Sequence, residues 1–484
     1  MAKIKKAWFC SACGNESPKW MGRCPACGEW NTMVEEIVSK GSESSALTSR
    51  AQTYLQGMGN AKPQPLPQIE SGNESRIMLG CGAAAGAEKG AGGTGNCREE
   101  NENCGEGNEL DRVLGGGMVK GSLVLLGGEP GIGKSTLSLQ IPLMNENLRT
   151  LYVSGEESAK QIKMRAERLG GVHGNCLVLA ETLLENILKE AGEVAPQLLI
   201  IDSIQTIYSQ NIESSAGSVS QVRECAAALL RFAKETGTPV VLIGHITKDG
   251  SIAGPKVLEH IVDVVLQFEG DSRHAYRILR SIKNRFGSTA ELAVYQMCSN
   301  GLQEILNPSE MFIPMHGEEL SGIAVAAMLD GSRPFLIEVQ SLVSTAAYGT
   351  PQRSATGFDV RRMNMLLAVL EKRVGFKLSQ KDVFLNIAGG LKISDPACDL
   401  AIIAAILSSN FDSSLPANIA FAGEIGLSGE IRPVSQIEKR ISEAAKLGME
   451  KIFISSFNKP QGKPHKGLQV VPISTVADLV KQIF

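Results

Sequence analysis

Two groups of residues in this sequence have types and spacings that do chemistry. The first is Gly128-Glu129-Pro130-Gly131-Ile132-Gly133-Lys134-Ser135, followed by Thr136. Glycines at these positions leave a row of backbone N–H groups free to wrap phosphate oxygens. A lysine in this place reaches the β- and γ-phosphates, and the hydroxyl after it ligates Mg²⁺. Gly128 to Thr136 therefore read as a cradle for a nucleoside triphosphate. A plain glycine-rich turn would require neither the lysine nor the serine. The second group is Cys10-Ser-Ala-Cys13 and Cys24-Pro-Ala-Cys27, two C-x-x-C pairs separated by ten residues. Such knuckles place four thiolates around one Zn²⁺ and leave no coordination position open to substrate. About thirty residues cannot build a sufficient apolar core, so metal binding would contribute roughly 10–16 kcal/mol of folding energy. The competing reading, a pair of redox dithiols, lacks the βαβ setting it needs.

The phosphate cradle requires a strand before it and a helix after it, and both are legible. Ser122-Leu-Val-Leu-Leu-Gly127 reads as a buried strand and Leu137-Ser-Leu-Gln-Ile141 as the start of a helix, which Pro142 should kink or shorten. Thr150–Ser154, Leu198–Asp202 and Val240–His245 are further apolar strands, and strands alternating with helices predict a parallel α/β sheet. Ligands bind at the carboxyl ends of such strands. Asp202 is thus placed to hold Mg²⁺, usually through water. Ser154 and Glu157 have capping-box spacing for the next helix, which leaves Glu156 to polarise a water. His245 either senses the γ-phosphate or is a satisfied core histidine.

Composition bounds the remainder. A chain of 484 residues predicts two or three domains, and a formal net charge of −3 excludes a protein that is basic all over. Nucleic-acid contacts would have to be local. No apolar run is long enough to span a bilayer, and Met1-Ala-Lys-Ile-Lys-Lys-Ala-Trp-Phe9 has no apolar segment of a secretory signal, so a cytoplasmic protein is expected. Eleven cysteines, mostly scattered, fit a reducing compartment. From residue 34 to 108 Ser, Gly, Ala, Asn and Pro dominate, which predicts a flexible linker in which Cys81, Cys97 and Cys104 are incidental. Around the cysteine knuckles, Trp8, Lys19, Trp20, Arg23 and Trp30 either stack on nucleic acid or form the packing and rim of a small module. Ser209–Ser218 and Thr247–Lys256, the latter with Lys248 and Lys256, are Gly/Ser-rich loops that suit phosphates or are plain surface loops. Between Ser272 and Ala290 stand five cations, Arg273, Arg277, Arg280, Lys283 and Arg285, and no acidic residue.

Several motifs in order carry a family resemblance. They are Gly128-Glu-Pro-Gly-Ile-Gly-Lys-Ser-Thr136, Tyr152-Val-Ser-Gly-Glu-Glu-Ser158, Asp202-Ser-Ile-Gln-Thr206, Gly244-His-Ile-Thr-Lys-Asp-Gly250 and Lys283-Asn-Arg-Phe-Gly287. With the four-cysteine finger they resemble the bacterial DNA repair protein family RadA (Sms). The resemblance implies a RecA-like P-loop ATPase core, an N-terminal zinc finger, ATP and Mg²⁺ as ligands, and hexameric rings. It further implies movement on single-stranded and branched DNA, branch migration beside a recombinase of the RecA type, and Lys283 and Arg285 reaching the γ-phosphate of a neighbouring subunit. An alternative for those two cations is a solvated strand end or a phosphate contact to DNA. The family's Arg-x-x-Thr-Gly lead-in before Glu109-Leu-Asp-Arg-Val-Leu-Gly-Gly-Gly117 is replaced by a Gly/Ala/Asn-rich stretch at about residues 80–107.

The last third resembles the proteolytic domain of Lon proteases, through Gly389-Gly-Leu-Lys-Ile-Ser-Asp-Pro-Ala397 and Gly423-Glu-Ile-Gly-Leu-Ser-Gly-Glu-Ile-Arg-Pro-Val434. Alignment puts Ala397 at the nucleophile position and Glu438 at the lysine position, with Ser394 and Lys439 off register. Peptidase chemistry, which needs a serine and a base within reach, is therefore not expected. A platform offering Arg353, Arg361 and Arg362 to DNA is. The expected order is a zinc finger at 1–33, the linker at 34–108, the ATPase at 109–306 and an inactive Lon-like α/β domain at 307–484. An ATP-dependent protease and a DNA-independent signalling ATPase are the competing classes.

Overall fold

In the computed structural model the described residues are 5–10, 16–38, 76–79, 108–172, 174–245, 256–270, 276–313, 320–346, 350–462 and 465–484. The chain forms two compact units, Met1–Ile305 and Leu306–Phe484.

The central sheet of the first unit has nine strands. In spatial order they are Gly301–Glu304, Leu292–Cys298, Tyr276–Asn284, Val264–Glu269, Leu123–Gly128, Val240–His245, Leu198–Asp202, Thr150–Ser154 and Cys176–Ala180. The strands from Val264–Glu269 onward run parallel, and the first three extend the sheet as an antiparallel meander. Apolar runs make this possible because both faces are covered. Val124, Leu126 and Ile200 pack into one core, whereas their neighbours Leu123, Leu125, Leu199 and Ile201 pack into the other. The meander strand Tyr276–Asn284 instead alternates, with Arg277, Leu279 and Ser281 buried between more open neighbours.

Two parts of the stretch read as linker are structured. Met33–Val38 pairs in full with Lys5–Cys10, so the small cysteine module continues past residue 33. Arg76–Leu79 packs on the ATPase core. Ile77 bridges Met118, Leu79 is buried, and the Leu79 N–H donates to the carboxylate of buried Asp111 at 2.9 Å. The Arg76 guanidinium donates to the carbonyls of Phe286 and Gly117. Residues 39–75 and 80–107, including Cys81, Cys97 and Cys104, lie outside the described residues. The turn Gly115-Gly116-Gly117 that receives this segment has φ of +88°, +104° and +105°. A Cβ on Gly117 would stand 3.0 Å from the Ile77 carbonyl oxygen, so glycine is required by both backbone and neighbour.

The second unit is built on a seven-stranded mixed sheet, Arg353–Thr356, Lys381–Ile387, Arg333–Thr345, Ile323–Asp330, Ile419–Ala422, Lys451–Ser455 and Gln469–Ile473. Helix Asp399–Phe411 is buried from Asp399 to Ser408 and packs on the central strands. A helix apolar on every side has no solvent face to present, which fits this position.

Candidate active site

The phosphate loop joins strand Leu123–Gly128 to helix Lys134–Met144. No side chain caps that helix at Gly133, and its first turn holds no acidic residue. Its leading N–H groups therefore keep their hydrogen-bonding capacity and positive potential for an anion. Gly131 and Gly133 have φ of +76° and +120°, and a Cβ on Gly133 would meet the Met297 methyl at 2.9 Å. Glu129 and Pro130 stand exposed on the rim, Ile132 is buried, and Ser135 and Thr136 are half-buried. Buried Arg277, read from the sequence only as one of five cations, donates from Nε to the Ile132 carbonyl at 3.2 Å and braces the loop. The helix ends at Met144, two residues after Pro142, in line with the expected shortening.

Lys134 is buried, and its Nζ donates to the carbonyls of Gly128 and Glu129 at 2.8 and 2.9 Å. Burial lowers its pKa to about 8, against an opposing pull from the Asp202 and Glu156 carboxylates. Both carboxylates thus favour the charged form of Lys134 at the carboxyl edge of the sheet. Asp202 is itself buried and accepts a 2.6 Å hydrogen bond from the Tyr152 hydroxyl. Burial, reinforced by Asp202, pushes the Tyr152 phenol well up, so it remains a donor. Tyr152 was visible in the motif, but nothing in the sequence revealed this hydrogen bond from two strands that pair side by side.

Glu156 is exposed at the end of strand Thr150–Ser154. Its Oε1 accepts from the Ser203 hydroxyl at 2.6 Å and lies 3.4 Å from His245 Nε2. Gln205, close by on the same edge, has a buried carboxamide with neither atom hydrogen-bonded. Thr206 crowds the turn so closely that a Cβ on Gly155 would fall 2.2 Å from its hydroxyl. The predicted capping box at Ser154 and Glu157 is not formed. The helix begins at Ala159, and the box is Ser158 with Gln161. Ser154 Oγ accepts instead from the N–H groups of Glu156 and Glu157, and the Glu157 carboxylate pairs with Arg165. The apolar strand stops at Ser154, so the turn needs four more residues before the helix can start.

Lys283 and Arg285 lie elsewhere. Asn284 pairs with Val264, which begins the strand beside Leu123, the first residue of the phosphate-loop strand. Leu123 and Gly128 are five residues apart, roughly 17 Å of extended chain. Both cations therefore sit at the opposite end of the sheet from their own phosphate loop. Lys283 Nζ donates to the carbonyls of Glu259 and Val262, and burial together with Arg285 lowers its pKa. Asn284 donates to the Leu114 carbonyl and accepts from the Phe286 N–H, while Gly287 closes on Gly115. Much of this motif is thus architecture. Arg285 is more than half exposed and pairs with buried Asp263, which also binds Lys234 and the Leu123 N–H.

In the cysteine module, the sulfurs of Cys10, Cys24 and Cys27 all lie within 4.8 Å of one another, with Cys10 and Cys27 3.6 Å apart. Sulfurs tetrahedral about Zn²⁺ at 2.3 Å stand about 3.8 Å apart, so the donor set fits that ion. Cys13 lies outside the described residues. Changing Cys24 to Ala should abolish metal binding by this module, as read by atomic absorption, and leave ATP affinity within about two-fold, because no phosphate-loop residue changes.

Loop Ser209–Ser218 is stitched down by Gln221, whose Nε2 donates to the carbonyls of Ser209, Ile212 and Ser214. Thr247–Pro255, with Lys248, lies outside the described residues, as do Arg273 and the Lys256 side chain. In the second unit Arg361 is exposed, and Arg362 is half-buried with its guanidinium engaged. It donates to the fully buried Asp399 carboxylate, whose pKa burial raises, and to the Ile425 carbonyl. A buried carboxylate needs that partner, which ties down the half-buried Arg362 guanidinium. Arg353 donates to Asn364. The Ala397 methyl is buried, Glu438 accepts from the Gln461 N–H, and Lys439 reaches the Ser332 carbonyl. Nearby, buried Arg440 binds Asp395 and the Ala327 carbonyl.

Residues 99–251 match the AAA domain family, residues 8–35 the rubredoxin metal binding domain, and residues 343–458 the family of subunit ChlI of Mg-chelatase. The chain is 46% identical over 485 residues to the DNA repair protein RadA of Bacillus subtilis, covering 99% of each. It is 47% identical to that of Halalkalibacterium halodurans, again over 99% of each. Against that of Synechocystis it is 43% identical, covering 98% of this chain and 94% of the relative. A solved KaiC-like protein from Pyrococcus horikoshii aligns at 21% identity and a TM-score of 0.35, covering 41% of this chain and 95% of that one.

Proposed function

The chain belongs to the DNA repair protein RadA family, and from that premise we propose that it is a DNA-dependent ATPase of recombinational repair. In this reading it assembles into hexameric rings in the cytoplasm, translocates on single-stranded DNA and promotes branch migration beside a recombinase of the RecA type. The four-part division, with finger, linker, ATPase and Lon-like platform, belongs to the same proposal, except that the finger extends to Val38. Membership of the family makes the chain a DNA repair ATPase with a RecA-like core, a zinc ribbon and a Lon-like domain. Among the described residues no helix is long and apolar enough to cross a membrane.

The observation that carries the reading is the phosphate loop itself, where buried Lys134 lies behind an uncapped helix N-terminus and Asp202 and Glu156 stand at the carboxyl ends of neighbouring strands. The loop N–H groups and Lys134 bind the triphosphate. Ser135 and Asp202 would hold Mg²⁺, which neutralises phosphate charge when bound. Glu156, oriented by Ser203 and His245, takes a proton from water as the water oxygen bonds to the γ-phosphorus. The bond from that phosphorus to the bridging oxygen breaks, and ADP leaves. Glu156→Gln keeps the shape and loses the base. It should cut ATP turnover about 10²–10⁴-fold with nucleotide affinity retained.

DNA dependence is tested by ATP turnover with and without single-stranded DNA, run beside a three-strand branch-migration assay. Stimulation by DNA that weakens with salt is expected. Turnover indifferent to DNA would instead favour the signalling class. Peptidase chemistry forms no part of the proposal, since the Ala397 methyl cannot attack a carbonyl.

A further inference from the structure

All three tryptophans of the chain, Trp8, Trp20 and Trp30, lie in the cysteine module. Trp8 packs on Cys10, Cys24 and Met33 in its small core. Trp20 and Trp30 are 53% and 68% exposed. Both rings border the space above Gly22, where a Cβ would lie 3.5 Å from the Trp20 ring and 3.8 Å from the Trp30 ring. The Arg23 guanidinium stands 5.8 Å from the Trp30 ring centroid, while its Nε donates to the Gly28 carbonyl. Their placement depends on the second knuckle. Arg23 and Trp30 form a backbone bridge, the Asn31 N–H donates to Gly22, and the Cys24 N–H donates to Glu29.

Covering the two exposed indoles would be favourable, since apolar surface removed from water is worth about 25 cal/mol per Å². The cations beside the rings identify the cover. The module to Val38 holds five Lys/Arg against four Glu, and of those cations Arg23 lies against the Trp30 ring. Lys19 is exposed beside Trp20. Aromatic faces interleaved with cations match unpaired bases on a phosphate backbone, whereas a duplex keeps its base faces inside the stack. We propose that Trp20 and Trp30, with Arg23, form a base-stacking platform for single-stranded DNA. This deepens the DNA-dependent reading given above and rests on it for the presence of that ligand.

The absence of tryptophan from the rest of the chain supplies the test. Indole emission of the full-length, zinc-loaded protein reports this module alone, and titration with an oligo-dT strand should quench it. Trp20→Ala and Trp30→Ala should each remove part of the quench and weaken strand affinity about 5- to 150-fold, the range for loss of one stacked base. Zinc content and DNA-free ATP turnover should be unchanged. Unaltered emission at saturating strand would overturn the platform. So would full affinity in the zinc-retaining double variant, or a quench produced only by duplex or only by an added recombinase. If wild-type turnover is stimulated by DNA but no quench appears, the platform alone fails. If the quench appears and turnover ignores DNA, the motor reading fails and the platform stands.

Discussion

Replacing Lys134 with alanine should lower ATP turnover by roughly 10²–10³-fold or more, the scale seen when a preorganised group aimed at developing charge is removed. The effect is large because this ammonium is buried and little bulk water is present to replace it. The same burial gives the site a pH signature. With its pKa lowered to about 8, Lys134 in the free protein is mostly charged at neutral pH and mostly neutral well above that value. A bound triphosphate favours the charged form and raises that pKa. ATP affinity should therefore be flat below about pH 8 and fall as pH rises beyond it, by up to tenfold per pH unit. Lys134→Arg, which stays charged throughout, should flatten the curve even if it binds more weakly. Titration of a fluorescent ATP analogue over that range reads both. An affinity that does not change with pH, together with undiminished binding by Lys134→Ala, would remove Lys134 from phosphate binding.

Arg285→Ala should reduce turnover about 10³-fold, the lower end of the range for cations supplied across a subunit interface, with ATP affinity nearly unchanged. Topology makes the distinction testable. Arg285 lies at the amino-terminal end of the phosphate-loop strand, beside Asp263 and Leu123, and cannot reach the nucleotide of its own chain. Mixing Arg285→Ala with Lys134→Ala subunits should then restore part of the activity, because some interfaces combine an intact loop with an intact arginine. No recovery in mixed assemblies of confirmed composition would end the in-trans role. Lys283→Ala is a less clean probe. Its Nζ binds two backbone carbonyls at the end of helix Lys256–Ile261, so any loss of turnover would be confounded by destabilisation of that helix end. Arg285, more than half exposed, is the better candidate of the two.

Contiguous chemistry was open to sequence reading. The phosphate cradle, the cysteine knuckles, and the carboxylates at the ends of apolar strands are each fixed by neighbours a few residues away, and parallel strands reveal themselves as unbroken apolar runs. The antiparallel meander was harder to see because Tyr276–Asn284 interleaves arginines with apolar residues and reads as a charged segment. The short stretch Arg76–Leu79 was lost in a low-complexity context, since its meaning comes from Asp111, Gly117 and Phe286, distant in sequence.

What the sequence by itself determined is the kind of chemistry and its order along the chain, because cradle, knuckles and strand-end carboxylates are local patterns. Only the tertiary structure decided which groups share an edge. Tyr152 came to hold Asp202, Ser203 and His245 came to hold Glu156, and Arg362 was withdrawn to a buried carboxylate. The physical reason is that hydrogen bonds and ion pairs between strands depend on register and burial. Those follow from how the two cores pack, and no spacing within one segment encodes them.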